Sequence, residues 1–192
     1  MTMPRRSRIG FAALMATLLC GVMSGPAWAQ QPRAEPPHAQ IAAIDRLAWL
    51  EGVWEGGATF MTPAGASPVR SWERVVRAAG GTALLIQGRH FSAGPEGQAG
   101  RLVHDAAALL TFDERSGRYR FVTQTAEGRS GSFEGRVEDG VFSWFIPRPG
   151  GQVRYDIVRN AQGQWQELGF NCTDGAACTE FFRMTLERKS AP

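Results

Sequence analysis

Beyond Gly52 the chain is cut at short, regular intervals by turn residues, and between the cuts its apolar residues recur at every second position. The cuts include Pro63-Ala64-Gly65, Gly80-Gly81, Pro95-Glu96-Gly97, Asp113-Glu114-Arg115-Ser116-Gly117, Glu127-Gly128, Asp139-Gly140, Pro149-Gly150-Gly151, Asn160-Ala161-Gln162-Gly163 and Asp174-Gly175. Gly, Asn and Asp tolerate the backbone conformations that tight reversals need. The pattern predicts strands over 52–61, 69–78, 82–92, 101–113, 117–126, 130–138, 141–147, 151–159, 163–172 and 178–188. Strands spaced about 8–12 residues apart and joined by tight turns form an antiparallel meander. No long helical pattern is present to carry parallel crossovers. An open meander of this size exposes two edges, and closing it removes them. The expected fold is all-β: a single antiparallel up-and-down barrel of about 8–10 strands with a short N-terminal helix.

Individual segments carry the alternation. Tyr119, Phe121, Thr123 and Thr125 share one face, with Arg118, Arg120 and Gln124 on the other. Phe133, Gly135 and Val137 alternate with Glu134, Arg136 and Glu138, and Phe182, Met184 and Leu186 alternate with Arg183 and Glu187. One apolar and one wet face per strand is the signature of a barrel wall. Ahead of Gly52 the period changes. Ile41, Ile44, Leu47, Ala48 and Leu50 fall at helical spacing, as in a short helix that caps one end.

Residues 1–29 read as a secretory signal peptide. Arg5, Arg6 and Arg8 precede an apolar run from Ile9 to Val22, and Ala27-Trp28-Ala29 forms a small-residue cleavage site. The run is short of the roughly 20 apolar residues a spanning helix needs, so no membrane span is expected. Residues 30–40, rich in Pro, Gln and Ala, read as a flexible linker, and 41–190 as one barrel domain. The expected location is periplasmic or secreted. The chain carries 21 Lys and Arg against 18 Asp and Glu; three of the Arg lie in the leader, which has no acid, so 18 face 18 after cleavage. That balance gives no support for nucleic-acid binding, which needs a clustered positive surface. Cys172 and Cys178 flank the turn-like Thr173-Asp174-Gly175-Ala176-Ala177, and in an exported chain they read as a disulfide across a hairpin end.

The run Leu47 to Gly57, containing Gly52-Val53-Trp54-Glu55-Gly56-Gly57, resembles the first strand of calycin-type barrels: lipocalins, fatty-acid-binding proteins and nitrobindins. With Trp72-Glu73-Arg74, Gly81 to His90, Val103-His104-Asp105-Ala106, Gly117 to Phe121 and Phe182 to Leu186, the chain is most similar to exported bacterial lipocalin-like proteins of uncharacterised function. The resemblance spans roughly residues 44–188 and implies a barrel with an internal cavity. It further implies that Trp54, two residues after Gly52, plugs the closed end, with Arg183 or Arg188 packed on its ring. Nitrobindins bind haem through a His near the C-terminus. The strand 178–188 has none, so no cofactor is expected, and haem would need another place on the barrel.

Candidate ligand-binding residues are His90, His104, Glu73, Arg89, Tyr119, Trp72 and Trp144. If 82–92 and 101–113 form a hairpin, His90 faces about residue 102 and His104 about residue 88, as diagonal neighbours. Two imidazoles on one face can hydrogen-bond a ligand, or hold a metal with a third group such as Glu73. Glu73 and Arg89 together can clamp a polar head group. Trp72, Trp144, Tyr119, Tyr155 and Phe121 can line an apolar pocket or serve as ordinary core. No nucleophile elbow, P-loop or dinucleotide-binding glycine pattern occurs, so no catalytic residue is assigned. The sequence reading is a barrel that binds a small apolar or amphipathic molecule. The alternatives are a packed envelope module that binds another protein, and a haem or metal barrel acting on reactive small molecules.

Overall fold

The computed structural model describes residues 37–94 and 98–190. The expected signal peptide and most of the linker lie outside these residues. Ten strands run in chain order: β1 (Gly52–Thr62), β2 (Gly65–Ala78), β3 (Ala83–Ala93), β4 (Ala99–Asp113), β5 (Arg118–Thr125), β6 (Ser130–Glu138), β7 (Val141–Arg148), β8 (Gly151–Arg159), β9 (Trp165–Thr173) and β10 (Thr179–Ser190). Each pairs antiparallel with the next, and β1 pairs with β10, so the sheet closes into a barrel with no free edge. The β6–β7 reversal shows the local cause. Asp139 and Gly140 both take positive φ, 48° and 80°, as a two-residue hairpin loop of the primed type requires.

The helix α1 spans His38–Asp45 and is followed by a single 3-10 turn at Ala48–Leu50. It starts three residues earlier than expected, so His38 to Gln40 are helical rather than linker. The apolar side of this cap is buried: Ile44 of α1, and Leu47 and Leu50 after it, are at most 1% exposed and join the core of Trp54, Val75, Leu84, Leu110, Tyr119, Met184 and Leu186. Polar contacts tie this cap down. Tyr119 Oη donates to the Ala43 carbonyl at 2.7 Å, and Arg77 bridges Asp45 and Glu51 at 2.8 and 2.7 Å. No helix among the described residues is long and apolar enough to cross a membrane.

Trp54 sits at the closed end, fully buried. Its Nε1–H donates to the Leu50 carbonyl at 2.7 Å, and its ring meets Trp49 and Trp165 edge to face. The cation on its ring is Arg188, 4.3 Å from the centroid. Arg188 also donates to the Glu51 and Trp49 carbonyls, fastening the cap to the last strand. Arg183 is not the partner. It faces outward opposite Thr59 and pairs with Glu180, because register sets Arg188 across from Trp54. Gly52 has φ 128°, and a Cβ there would lie 2.6 Å from the Ser190 carbonyl oxygen. Only glycine fits this entry to β1. Cys172 and Cys178 are disulfide-bonded across the β9–β10 turn.

Candidate functional site

The barrel encloses a cavity of about 410 Å³. Its floor is Leu50, Phe142, Ile157 and Trp165, directly above the cap. Ile86, Phe121, Phe133, Trp144, Tyr155 and Phe182 make most of the wall, and Gly88, Ala106 and Ala108 keep it wide. Arg129 and Ser130, at the β5–β6 turn, line the lumen away from the floor. Alternation explains who faces in: Phe121 and Thr123, Trp144 and Ile146, Tyr155 and Ile157 are each two apart on their strands. Trp144 and Tyr155 stack in parallel with centroids 4.5 Å apart, joined by Phe121 and Phe133 to form a continuous aromatic wall.

His90 and His104 both face this lumen. They are direct cross-strand partners, not diagonal ones, and their rings stack at 5.2 Å. Register shifts next to Phe91 move the hairpin pairing by two residues from that of a regular ladder. Ser71 Oγ and His90 Nδ1 share a hydrogen bond of 2.7 Å. Burial, helped by the neighbouring His104, lowers His90 to about 4. Burial also lowers His104, so both rings are neutral at pH 7. No group of three metal-binding side chains occurs among the described residues, so Glu73 does not complete a metal site with them.

Glu73 points into the lumen and is 7% exposed. It faces Gly88 across β2 and β3. Burial raises its carboxyl well above the ordinary range, and Glu167 pushes it further. Glu167, on β9, is the lumen acid that sequence reasoning missed. Burial raises it to about 7. The Trp165 indole N–H pulls part of that shift back, although its geometry falls short of a hydrogen bond. The signal for Glu167 was present in its phase with Trp165. However, Gln166 and Leu168 on the opposite face give β9 no apolar alternation to read. Tyr155 is raised too, by burial first and by Glu167 second. The Nε1 atoms of Trp144 and Trp165 are buried without a hydrogen-bond partner, and both rings line the cavity.

Three of the expected ligand residues lie elsewhere. Trp72 and Arg89 face outward, with the guanidinium 5.5 Å from the indole centroid and 3.6 Å from Asp105. They form an outer hollow with Glu55, Arg70 and Phe91. The reason is parity: Glu73 pairs with Gly88 and Trp72 with Arg89, so Glu73 and Arg89 lie on opposite faces and cannot clamp one ligand. Tyr119 is 2% exposed and lies in the core beneath α1, not in the cavity wall. β10 turns Phe182, Met184 and Leu186 inward.

No model of a known protein family matches this sequence, and no curated protein does. Solved structures do resemble it. Rv2717c from M. tuberculosis superposes with a TM-score of 0.55 at 13% identity, over 77% of this chain and 98% of that one. The S-type phycobiliprotein lyase CPES from Guillardia theta superposes with a TM-score of 0.53 at 11% identity, over 84% of this chain and all of that one. At such identities the likeness is one of fold alone.

Proposed function

We propose that this chain is an exported lipocalin-like barrel that holds a small apolar or amphipathic molecule in its lumen. The observation that carries the reading is the lumen itself. Its volume of about 410 Å³ falls within the roughly 300–1,000 Å³ of ligand pockets. Its wall is aromatic and aliphatic with a few convergent polar groups, as ligand pockets are. The same volume disfavours a solidly packed barrel acting only through its outer surface. Similarity to a lyase, and to Rv2717c, is consistent with a barrel built around a cavity. Export rests on the leader-like residues 1–29 and is supported by the disulfide.

Native mass spectrometry of the protein purified from its own host tests the reading. The expected spectrum shows a chain beginning at Gln30 with a non-covalent small-molecule adduct. Uptake of the neutral dye N-phenyl-1-naphthylamine, followed by fluorescence, gives a second readout. A protein that carries no adduct and leaves the dye dark in water would overturn the binding function. A chain retaining residues 1–29 would overturn export.

A further inference from the structure

We propose that the lumen selects ligands bearing a cationic nitrogen, an amine or amidine on an apolar body, and that Glu73 and Glu167 receive that head group. The proposal rests on the lumen-binding reading above and names its ligand class. Its basis is a pair of acids with no counter-charge. Glu73 is more than nine-tenths buried and borders the cavity, yet no hydrogen bond or ion pair to it occurs among the described residues. Glu167 borders the same cavity and has no ion pair among them. A buried carboxyl is ordinarily hydrogen-bonded, and an ionised one paired, because desolvation without a partner is costly.

The surroundings of the two acids point the same way. On the strands packed around them, the titratable groups facing inward are His90 of β3, His104 of β4 and Tyr155 of β8. Arg188 of β10 lies on the Trp54 ring and serves the cap carbonyls, and Arg129 at the β5–β6 turn pairs with Glu127 at 3.3 Å. None of these supplies a cation to either carboxyl. The imidazoles are neutral at pH 7, and the phenol cannot ionise there. A ligand anion would meet two acids, and a fully apolar ligand would leave them unmatched. A ligand cation favours the ionised form of one acid and pairs with it, and the second carboxyl can stay protonated. The aromatic wall of Trp144, Tyr155, Phe121 and Phe133 accommodates the apolar body and favours a nearby cation. Glycine at position 88 belongs to the same design, since a Cβ there would lie 2.7 Å from both Glu73 carboxyl oxygens.

Three probes of one chain length separate this proposal from the one it rests on: n-decylamine, decan-1-ol and decanoate, titrated calorimetrically into the disulfide-intact protein. At pH 8 decylamine is expected to bind at least about tenfold more tightly than decanol, with decanoate weakest. The preference should shrink as pH falls below Glu167's value of about 7. In Glu167→Gln and Glu73→Gln, each checked for native circular dichroism, the ratio of decylamine to decanol affinity should fall. Equal binding of all three probes to the native protein would overturn the cationic selectivity and leave the lumen reading intact. Binding of none of the three would overturn both.

Discussion

Glu73 and Gly88 face each other across the β2–β3 ladder, and the space a Cβ at position 88 would take is the space the Glu73 carboxyl holds. The contact is with the far end of a flexible side chain, so Gly88→Ala should be absorbed by rotation of Glu73. Stability should change by no more than about 1 kcal/mol. The position of the acid should change more than the fold. Carbon-detected NMR titration of Glu73 should show its carboxyl shifted in the variant. An unchanged titration would mean that Gly88 does not position this group.

Stability should respond to pH through two opposed sets of groups. Glu167 is raised in the folded state to about 7, so its burial favours folding at acid pH and loses that advantage as pH climbs from its unfolded value through 7. Glu73 acts in the same sense. His90 is lowered to about 4, so its contribution is complete above its unfolded value and is lost as pH falls toward 4. Urea unfolding at pH 8 should therefore find Glu167→Gln more stable than the native protein by about 1–3 kcal/mol, the upper part reduced by water in the lumen. The gain should vanish near pH 5. A variant no more stable than native at pH 8 would show that Glu167 is not held protonated by the fold.

Arg188 and Arg183 lie on the same strand and should behave differently. Arg188→Ala removes a guanidinium from the Trp54 ring and leaves the Glu51 and Trp49 carbonyls without that donor. A loss of about 2 kcal/mol is expected from these contacts together. Arg183→Ala removes an exposed pair with Glu180 and should cost less than about 0.5 kcal/mol. Chemical unfolding of the two variants decides it, and equal midpoints would remove Arg188 from the cap.

Most of the barrel could be read from the chain because its information is local. Asp139-Gly140 dictates a reversal by its own backbone preferences, and alternation in 118–125 or 182–186 assigns faces without knowledge of partners. The His90–His104 pairing could not be read so well, because a register shift beside Phe91 is a property of two strands together. Parity could have excluded Arg89 as a partner for Glu73, since cross-strand neighbours share a face and Arg89 pairs with Trp72. The choice between Arg183 and Arg188 needed the β1–β10 closure, which joins the two ends of the sheet and leaves no local mark. Glu167 stayed hidden because a lone acid on a half-polar strand looks like a solvated wall position until the lumen is closed around it.

The disulfide closes a short loop, so its effect should be small and confined to stability. Joining residues six apart in sequence gives about 2 kcal/mol in the chain-entropy model. The double variant Cys172→Ser, Cys178→Ser should fold, with a lower Tm, and should bind decanol as the native protein does, since the bond lies in the β9–β10 turn and outside the cavity wall. Loss of binding in a folded double variant would show that this turn shapes the lumen.

Filling the lumen is the sharpest check on the binding function. Ala106 projects into the cavity from β4, opposite Gly88 of β3. Ala106→Phe places an aromatic ring in empty space of about 410 Å³, so it should be accommodated at a cost of no more than about 1–3 kcal/mol, and burial of new apolar surface can offset that cost. Ligand and ring compete for one volume, so affinity for decan-1-ol and for N-phenyl-1-naphthylamine should fall by at least about tenfold. Leu109, three residues further along β4 but facing outward and 38% exposed, provides the control: Leu109→Phe adds bulk outside the barrel and should leave both affinities unchanged. If both variants bind alike, the ligand does not occupy the lumen, and the outer hollow around Trp72 and Arg89 becomes the place to search.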